Sequence, residues 1–222
     1  MSGTGPLLLV GGAEWQEGCG FDAELLEEAG RPEVLVLPTA AAYEHPDRAV
    51  ETAQRWFASI GGRARGLSVL RRPDAEDEAM AAEVRAARFI YLGGGSPLHL
   101  RSVLKDSPVW NALVEAWQDG AIVAGSSAGA MVLTDPMVDP RGGAFTVGLG
   151  LVEQVAVIPH FDTWSHEKVT RTLDLAPTGL PLVGVEERTG IIRGTNGAWR
   201  AAGSGKVSVF VDGEPAGLDV LP

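Results

Sequence analysis

The 222-residue chain is 45% hydrophobic and 21% charged, the balance of a globular fold rather than of a disordered or fibrous one. Its 18 Lys and Arg against 29 Asp and Glu leave a net charge of −11 with no basic run, which makes nucleic acid or an anionic membrane a poor partner. The single cysteine, Cys19, excludes an internal disulfide and a cysteine-built zinc site, and reads as a small buried apolar residue.

In chain order, Leu7 to Val10 reads as a buried first strand ending in Gly11-Gly12. No positive charge precedes this apolar run, so it does not read as a signal peptide. Asp22 suits a helix cap, with Leu25, Leu26 and Ala29 facing inward. Val34 to Leu37 is a second strand, stopped by Pro38. Ala49, Val50, Ala53, Trp56, Phe57 and Ile60 recur at helical spacing and predict a helix over 47–60. Leu67 to Leu70 reads as a third strand, 74–87 as a helix and Phe89 to Leu92 as a fourth strand. Ser107-Pro108 opens a helix burying Val109, Trp110, Leu113, Val114 and Trp117. Ala121 to Ala124 is a fifth strand. Strands separated by helices imply βαβ units and a mostly parallel sheet. Beyond residue 142 only 165–175 keeps a helical pattern, and 155–158, 182–185, 190–193 and 206–211 read as strands. The last resembles an antiparallel edge, which offers a route to pairing between copies. No linker interrupts the pattern and no stretch reaches the ~18 apolar residues of a membrane helix. One cytoplasmic domain, 1–222, is the expectation.

The densest chemical signal is Gly125-Ser126-Ser127-Ala128-Gly129, between a buried strand and an apolar helical stretch. It matches the G-x-S-x-G pattern, in which small flanking residues allow a sharp turn that exposes the serine hydroxyl. The amide of Ala128, at a helix N-terminus, is placed to stabilise an oxyanion. Gly93-Gly94-Gly95 ends the neighbouring strand on the same side of a parallel sheet, so Gly95 is a candidate second donor.

A serine nucleophile needs a base, and His45, His99, His160 and His166 are available. His160 follows the apolar strand Val157-Ile158, where a site on the C-terminal edge would lie. His160, Asp162 and His166 form a weaker metal-ligand pattern, which is set aside because nothing supplies further ligand spacing. An orienting carboxylate could come from Asp135, Asp139, Glu153, Asp162, Glu167, Asp174, Glu186 or Glu187, and pattern alone does not choose.

Together, Tyr-Leu-Gly-Gly-Gly-Ser at 91–96, Gly-Ser-Ser-Ala-Gly-Ala at 125–130, Pro-His-Phe at 159–161 and Gly-Val-Glu-Glu at 184–187 resemble the peptidase E (aspartyl dipeptidase) and cyanophycinase family of serine peptidases. Gly-Leu-Gly-Leu at 148–151 and the Gly-Lys-Val-Ser-Val tail at 205–209 extend the resemblance over nearly the whole chain. It implies a class I glutamine-amidotransferase-like α/β/α sandwich, with a mostly parallel central sheet and antiparallel additions near the C-terminus. It implies a Ser127–His160–Glu187 triad with an oxyanion hole at Gly95 and Ala128, and Asp135 as the reserve acid. Hydrolysis of dipeptides or short peptides follows, with N-terminal aspartate as a candidate preference, no cofactor and no metal. Arg171 resembles a substrate-binding arginine of peptidase E, and Ser96 stands where the family has asparagine. Pro159 stands where cyanophycinases carry glutamine, which favours the peptidase E branch. The other readings are a silent small-molecule-binding protein on this fold and a hydrolase of a non-peptide acyl bond.

Overall fold

The computed structural model describes residues 4–222 apart from Gly142. Beside two-residue ladders, the strands are β1 (Leu7–Val10), β2 (Glu33–Leu37), β3 (Arg63–Gly66), β4 (Phe89–Leu92), β5 (Ile122–Ser126), β6 (Ala156–Ile158), β7 (Leu182–Val185), β8 (Thr189–Arg193), β9 (Trp199–Gly203), β10 (Val207–Val211) and β11 (Glu214–Ala216). The helices are α1 (Phe21–Glu28), α2 (Pro46–Ser59), α3 (Arg72–Ala75), α4 (Glu78–Ala86), α5 (Pro97–Leu104), α6 (Pro108–Gln118), α7 (Ala128–Leu133) and α8 (His166–Asp174).

Seven strands form the central sheet in the order β9-β8-β1-β5-β4-β2-β3. The five from β1 to β3 run parallel, and β8 and β9 add to the β1 edge antiparallel. The parallel strands are apolar on both faces because both faces are covered. Leu8, Val10, Val34, Val36, Phe89 and Tyr91 pack with Phe21 and Leu25 of α1 and Ala53 and Phe57 of α2. The alternate residues Leu7, Leu9, Leu35, Leu37, Ile90 and Leu92 pack with α4 to α7. The result is a three-layer α/β/α sandwich. A second sheet, β6-β7-β10-β11, joins the same core through Val157, Val183 and Val209. Among the described residues, no helix is long and apolar enough to cross a membrane.

Four local expectations are corrected. The third strand is Arg63–Gly66, not 67–70. It is an edge strand with exposed arginines, so it lacks an apolar signature, while Leu67 and Val69 are buried just beyond its end. The helix expected over 74–87 is broken into α3 and α4, because the Asp77 carboxylate accepts from Ala79 N–H at 2.8 Å and starts a new helix. The run at 206–211 is interior to its sheet, between β7 and β11; the edge is β11, which carries Pro215.

Asp22 is not a cap. The N-cap of α1 is Gly20, and Asp22 is fully buried, with Trp56 Nε1 donating to its Oδ2 at 2.8 Å. Its Oδ1 has no partner, and burial pushes the carboxyl from 3.8 up to about 8. The unfolded chain loses this proton near the ordinary value, whereas the folded chain keeps it until about pH 8. Between those limits the folded state binds more protons, so stability falls as pH rises. Asp22→Asn, which mimics the protonated group, is expected to raise the melting temperature at pH 7–8 and flatten its dependence between pH 4.5 and 8. Thermal unfolding across that range checks this; an unchanged slope would refute the assignment. Cys19 is buried nearby, and burial pushes its thiol up to about 11, which leaves it protonated and unreactive.

Candidate active site

The C-terminal edge of the parallel sheet carries the chemistry. At the end of β5 the chain turns abruptly at Ser127, with φ 50 and ψ −108, and enters α7. The flanking glycines are required by contact. A Cβ on Gly125 would lie 2.5 Å from the Gly129 carbonyl carbon, and one on Gly129 would lie 2.3 Å from Leu92 O. Only with both absent can α7 close on β5 and β4 and hold the Ser127 hydroxyl above the sheet.

His160 follows β6 in a left-handed conformation, φ 51 and ψ 38. Its Nε2 is 3.0 Å from Ser127 Oγ and its Nδ1 is 2.8 Å from Glu187 Oε1. A carboxylate only accepts, so the neutral imidazole donates from Nδ1 to Glu187, and Nε2 accepts from the serine hydroxyl. Glu187 lies just beyond β7, and its own N–H donates to Asp162 Oδ1 at 3.1 Å.

One short segment ties these parts together. The carbonyls of Val10, Gly11 and Gly12 accept in succession from the backbone N–H groups of Ser127 at 2.9 Å, His160 at 2.7 Å and Arg188 at 2.8 Å. Gly12 also makes room for the ring. At φ 124, a Cβ there would come within 2.1 Å of His160 Cε1.

Glu14, a few residues on, accepts from Gly94 N–H at 3.3 Å through Oε1 and from Ser126 Oγ at 2.8 Å through Oε2. This carboxylate bridges the glycine loop and the turn that carries Ser127. Gly95, at φ 134, lies so close to Ala40 that a Cβ would be 2.3 Å from its carbonyl oxygen.

Above Ser127 lies a cavity of about 330 Å³, whose walls include Gly95, Ala128, Pro140, His160, Trp164 and Lys168. Lys168 projects from α8, donates from Nζ to Pro140 O at 3.1 Å and sits 3.4 Å from the centre of the Trp164 ring. Desolvation lowers its pKa below the ordinary lysine value.

Two residues expected at the substrate, Ser96 and Arg171, are not among those that line this cavity. Ser96 caps α5, accepting from His99 N–H at 3.3 Å, and its side chain does not line the cavity. Arg171 is exposed one turn further along α8, against Gly143, and borders a separate depression with His166. Arg171 follows Lys168 by about one turn, so the two are near neighbours on α8 and only the earlier reaches the cavity wall, which the presence of a basic residue does not reveal.

Asp135, Glu186 and His99 are engaged with other partners. Asp135 accepts from Gly148 N–H at 2.8 Å and lines a different cavity with Glu153. Glu186 accepts from Lys206 N–H, and His99 bonds the Leu70 carbonyl. Among the described residues no three His, Cys, Asp or Glu side chains gather as a metal would need, so His160, Asp162 and His166 do not form a ligand set.

Comparison with known proteins agrees with this architecture. The sequence model of peptidase family S51 matches residues 7–198. A cyanophycinase from Synechococcus elongatus is 27% identical over 218 residues, 92% of this chain and 67% of its own. That relative lies in the branch the Pro159 motif favours less. The crystal structure of a peptidase from an acI-B1 Actinobacterium superposes with a TM-score of 0.84 at 30% identity, covering 97% of each chain. A candidate peptidase E from Listeria monocytogenes, with a TM-score of 0.67 over 94% of this chain and 98% of its own, shares 16% of residues and supports the fold alone. With a family match spanning most of the chain and a solved peptidase of the same fold, the protein belongs to peptidase family S51 and is a serine-type peptidase.

Proposed function

We propose that the protein hydrolyses dipeptides or other short peptides through an acyl-enzyme on Ser127. The observation that carries this reading is the unbroken Ser127–His160–Glu187 hydrogen-bond chain, at 3.0 and 2.8 Å, opening onto a cavity. His160 Nε2 takes the Oγ proton as Oγ attacks the scissile carbonyl, then delivers it to the departing amine. Glu187 keeps the imidazole in the required tautomer and stabilises the imidazolium. The amides of Ala128 and Gly95, both at the cavity wall, are assigned to the oxyanion. Water entering after the amine leaves is activated by the same histidine and releases the acyl group.

A cavity of about 330 Å³ is at the small end of the range for compact ligands, which favours short peptides over folded protein substrates. The hydrogen-bonded serine argues against a silent binding role. The test is a dipeptide and tripeptide library assayed with wild type and Ser127→Ala. Cleavage by wild type alone supports the proposal; equal cleavage by both proteins refutes it.

The position of Gly12 gives a second prediction. Gly12→Ala pushes a methyl group into the His160 ring, displacing it from Ser127 and Glu187. A misplacement of about 1 Å at a reacting group costs about 10²-fold in rate. Steady-state kinetics on a library hit should show that loss in kcat. A fully active Gly12→Ala protein would mean that the ring is not held where the geometry puts it.

A further inference from the structure

We infer that Glu14 is a positioning residue that sets the oxyanion hole, an inference that rests on the peptidase reading above. The glycine loop shows how. Gly93 N–H donates to Leu37 O at 3.3 Å and Ser96 N–H to Ala40 O at 2.8 Å. Between them, Gly94 N–H donates to Glu14 Oε1 at 3.3 Å. Of these four successive amides, Gly95 N–H alone has no protein acceptor among the described residues, and Gly95 lines the cavity. Ala128 N–H, in the first turn of α7, also has none among them. Both amides assigned to the oxyanion are therefore free, while the peptide beside Gly95 is tied to Glu14.

The same carboxylate reaches the segment of the other donor. Ser126, fully buried and two residues before Ala128, donates from Oγ to Glu14 Oε2 at 2.8 Å. Gly94 also lies against the nucleophile, where a Cβ on it would be 3.5 Å from that of Ser127. One side chain thus fastens both segments that supply oxyanion donors. Such donors are effective when their spacing is fixed before negative charge develops on the substrate oxygen.

Glu14 sits in a place unfavourable to a carboxylate. It is half-buried, and no cation among the described residues pairs with it. Its charge opposes ionisation of the buried Asp22, Cys19 and Tyr91. The residues on either side of it, Ala13 and Trp15, both hold left-handed backbone at φ 50 and 60. Trp15 anchors this bend, its buried ring edge-on to Tyr91 with centroids 5.1 Å apart. What this strained segment delivers is a carboxylate with one oxygen on each side of the oxyanion hole.

Three substitutions separate reach from charge. Glu14→Gln keeps the length: its oxygen accepts from Gly94 N–H, and its amide donates to Ser126 Oγ with the hydroxyl reversed. Glu14→Asp keeps the charge and is one methylene too short to span the two segments. Glu14→Ala removes both links. On a peptide that wild type cleaves, Glu14→Gln is expected within about tenfold of the wild-type kcat. Glu14→Asp and Glu14→Ala are expected to lose about 10²-fold in kcat, the scale of a displaced oxyanion donor, with KM near its wild-type value.

Diisopropyl fluorophosphate gives a second readout that needs no peptide. Its phosphoryl oxygen takes the oxyanion position while Ser127 Oγ displaces fluoride, so the labelling rate of Ser127, followed by mass spectrometry, should fall in the same order. If wild type labels at Ser127 and cleaves no peptide, the peptidase reading alone falls and the labelling rates still judge Glu14. Wild-type kcat and labelling in Glu14→Ala, a loss confined to KM, or an active Glu14→Asp beside an inactive Glu14→Gln overturns the inference. So does a wild type that never labels. Thermal unfolding accompanies each variant, and if Glu14→Ala does not fold, the contrast between Glu14→Gln and Glu14→Asp decides.

Discussion

Ser127→Ala is expected to lower kcat by about 10⁶-fold, leaving the residual ~10³–10⁴ over the uncatalysed rate that binding and oxyanion stabilisation supply. The size follows from the geometry. Ser127 Oγ is the group within hydrogen-bond reach of His160 Nε2, so its loss leaves the base with nothing to deprotonate. The fold should survive, because the serine is held through its backbone: N–H to Val10 O and C=O to Met131 N–H, both kept in alanine. The strained backbone at φ 50 is no harder for alanine than for serine. The check is steady-state kinetics on a library hit, paired with thermal unfolding. Mass spectrometry of wild type quenched during turnover should also find an acyl group on the peptide containing Ser127. Residual activity within tenfold of wild type in a clean Ser127→Ala preparation would sink the acyl-enzyme mechanism.

Glu187→Gln should be the next most damaging change, at about 10⁴-fold in kcat. A carboxamide is neutral and offers an N–H as well as an oxygen. It no longer compels Nδ1 to be the donor, so the ring can present Nε2–H towards Ser127, the wrong state for a base. It also removes the charge that stabilises the imidazolium. The local backbone is secured independently, with Glu187 N–H on Asp162 and Arg188 N–H on Gly12, so the damage falls on chemistry. KM should stay near its wild-type value. Asp135→Asn is the control, since Asp135 bonds Gly148 and faces a different cavity. Large losses from Asp135→Asn with an active Glu187→Gln would reverse the assignment of the third member.

What the sequence reveals tracks how local each determinant is. The apolar runs of β1, β2, β4 and β5 announce strands because both faces of the sheet are covered, and the Gly125 to Gly129 turn announces itself because close packing there admits few residues. Ser127 is found by motif, His160 by its place after a strand and Glu187 only through the family resemblance, and the structure brings the three into one hydrogen-bonded row. β3 is missed because an edge strand carrying Arg63 and Arg65 has no apolar pattern, and the buried pair Leu67 and Val69 draws the eye past it.

Glu14 leaves no local trace, and Gly12 only a faint one. Glu14 matters through contacts with Gly94 and Ser126, and Gly12 through a ring attached to residue 160, so each meaning exists only once the chain is folded. A glycine pair after a first strand is the faint signal that could have flagged Gly12. Lys168 and Arg171 are the instructive pair. Both are basic, on one helix and one turn apart, and the choice between them depends on which turn of α8 meets the cavity. That helix is polar over most of its surface, with Thr172 its one buried residue, so its sequence does not state which way it is turned.

The three carbonyls at residues 10 to 12 also set a timetable. They are synthesised well before the segments that dock on them, and those segments arrive in order: the serine turn, the histidine turn, then the acid. A growing polypeptide that has just made α7 possesses a shaped elbow with an inert hydroxyl. Even after β6 emerges, the imidazole has no partner to fix its tautomer. On the mechanism proposed above, cleaving power appears late, when the turn after β7 reaches the Gly12 carbonyl. On that mechanism a ribosome whose chain has not yet released that turn holds no working peptidase, and a message cut short before it yields a product without the means to hydrolyse its neighbours.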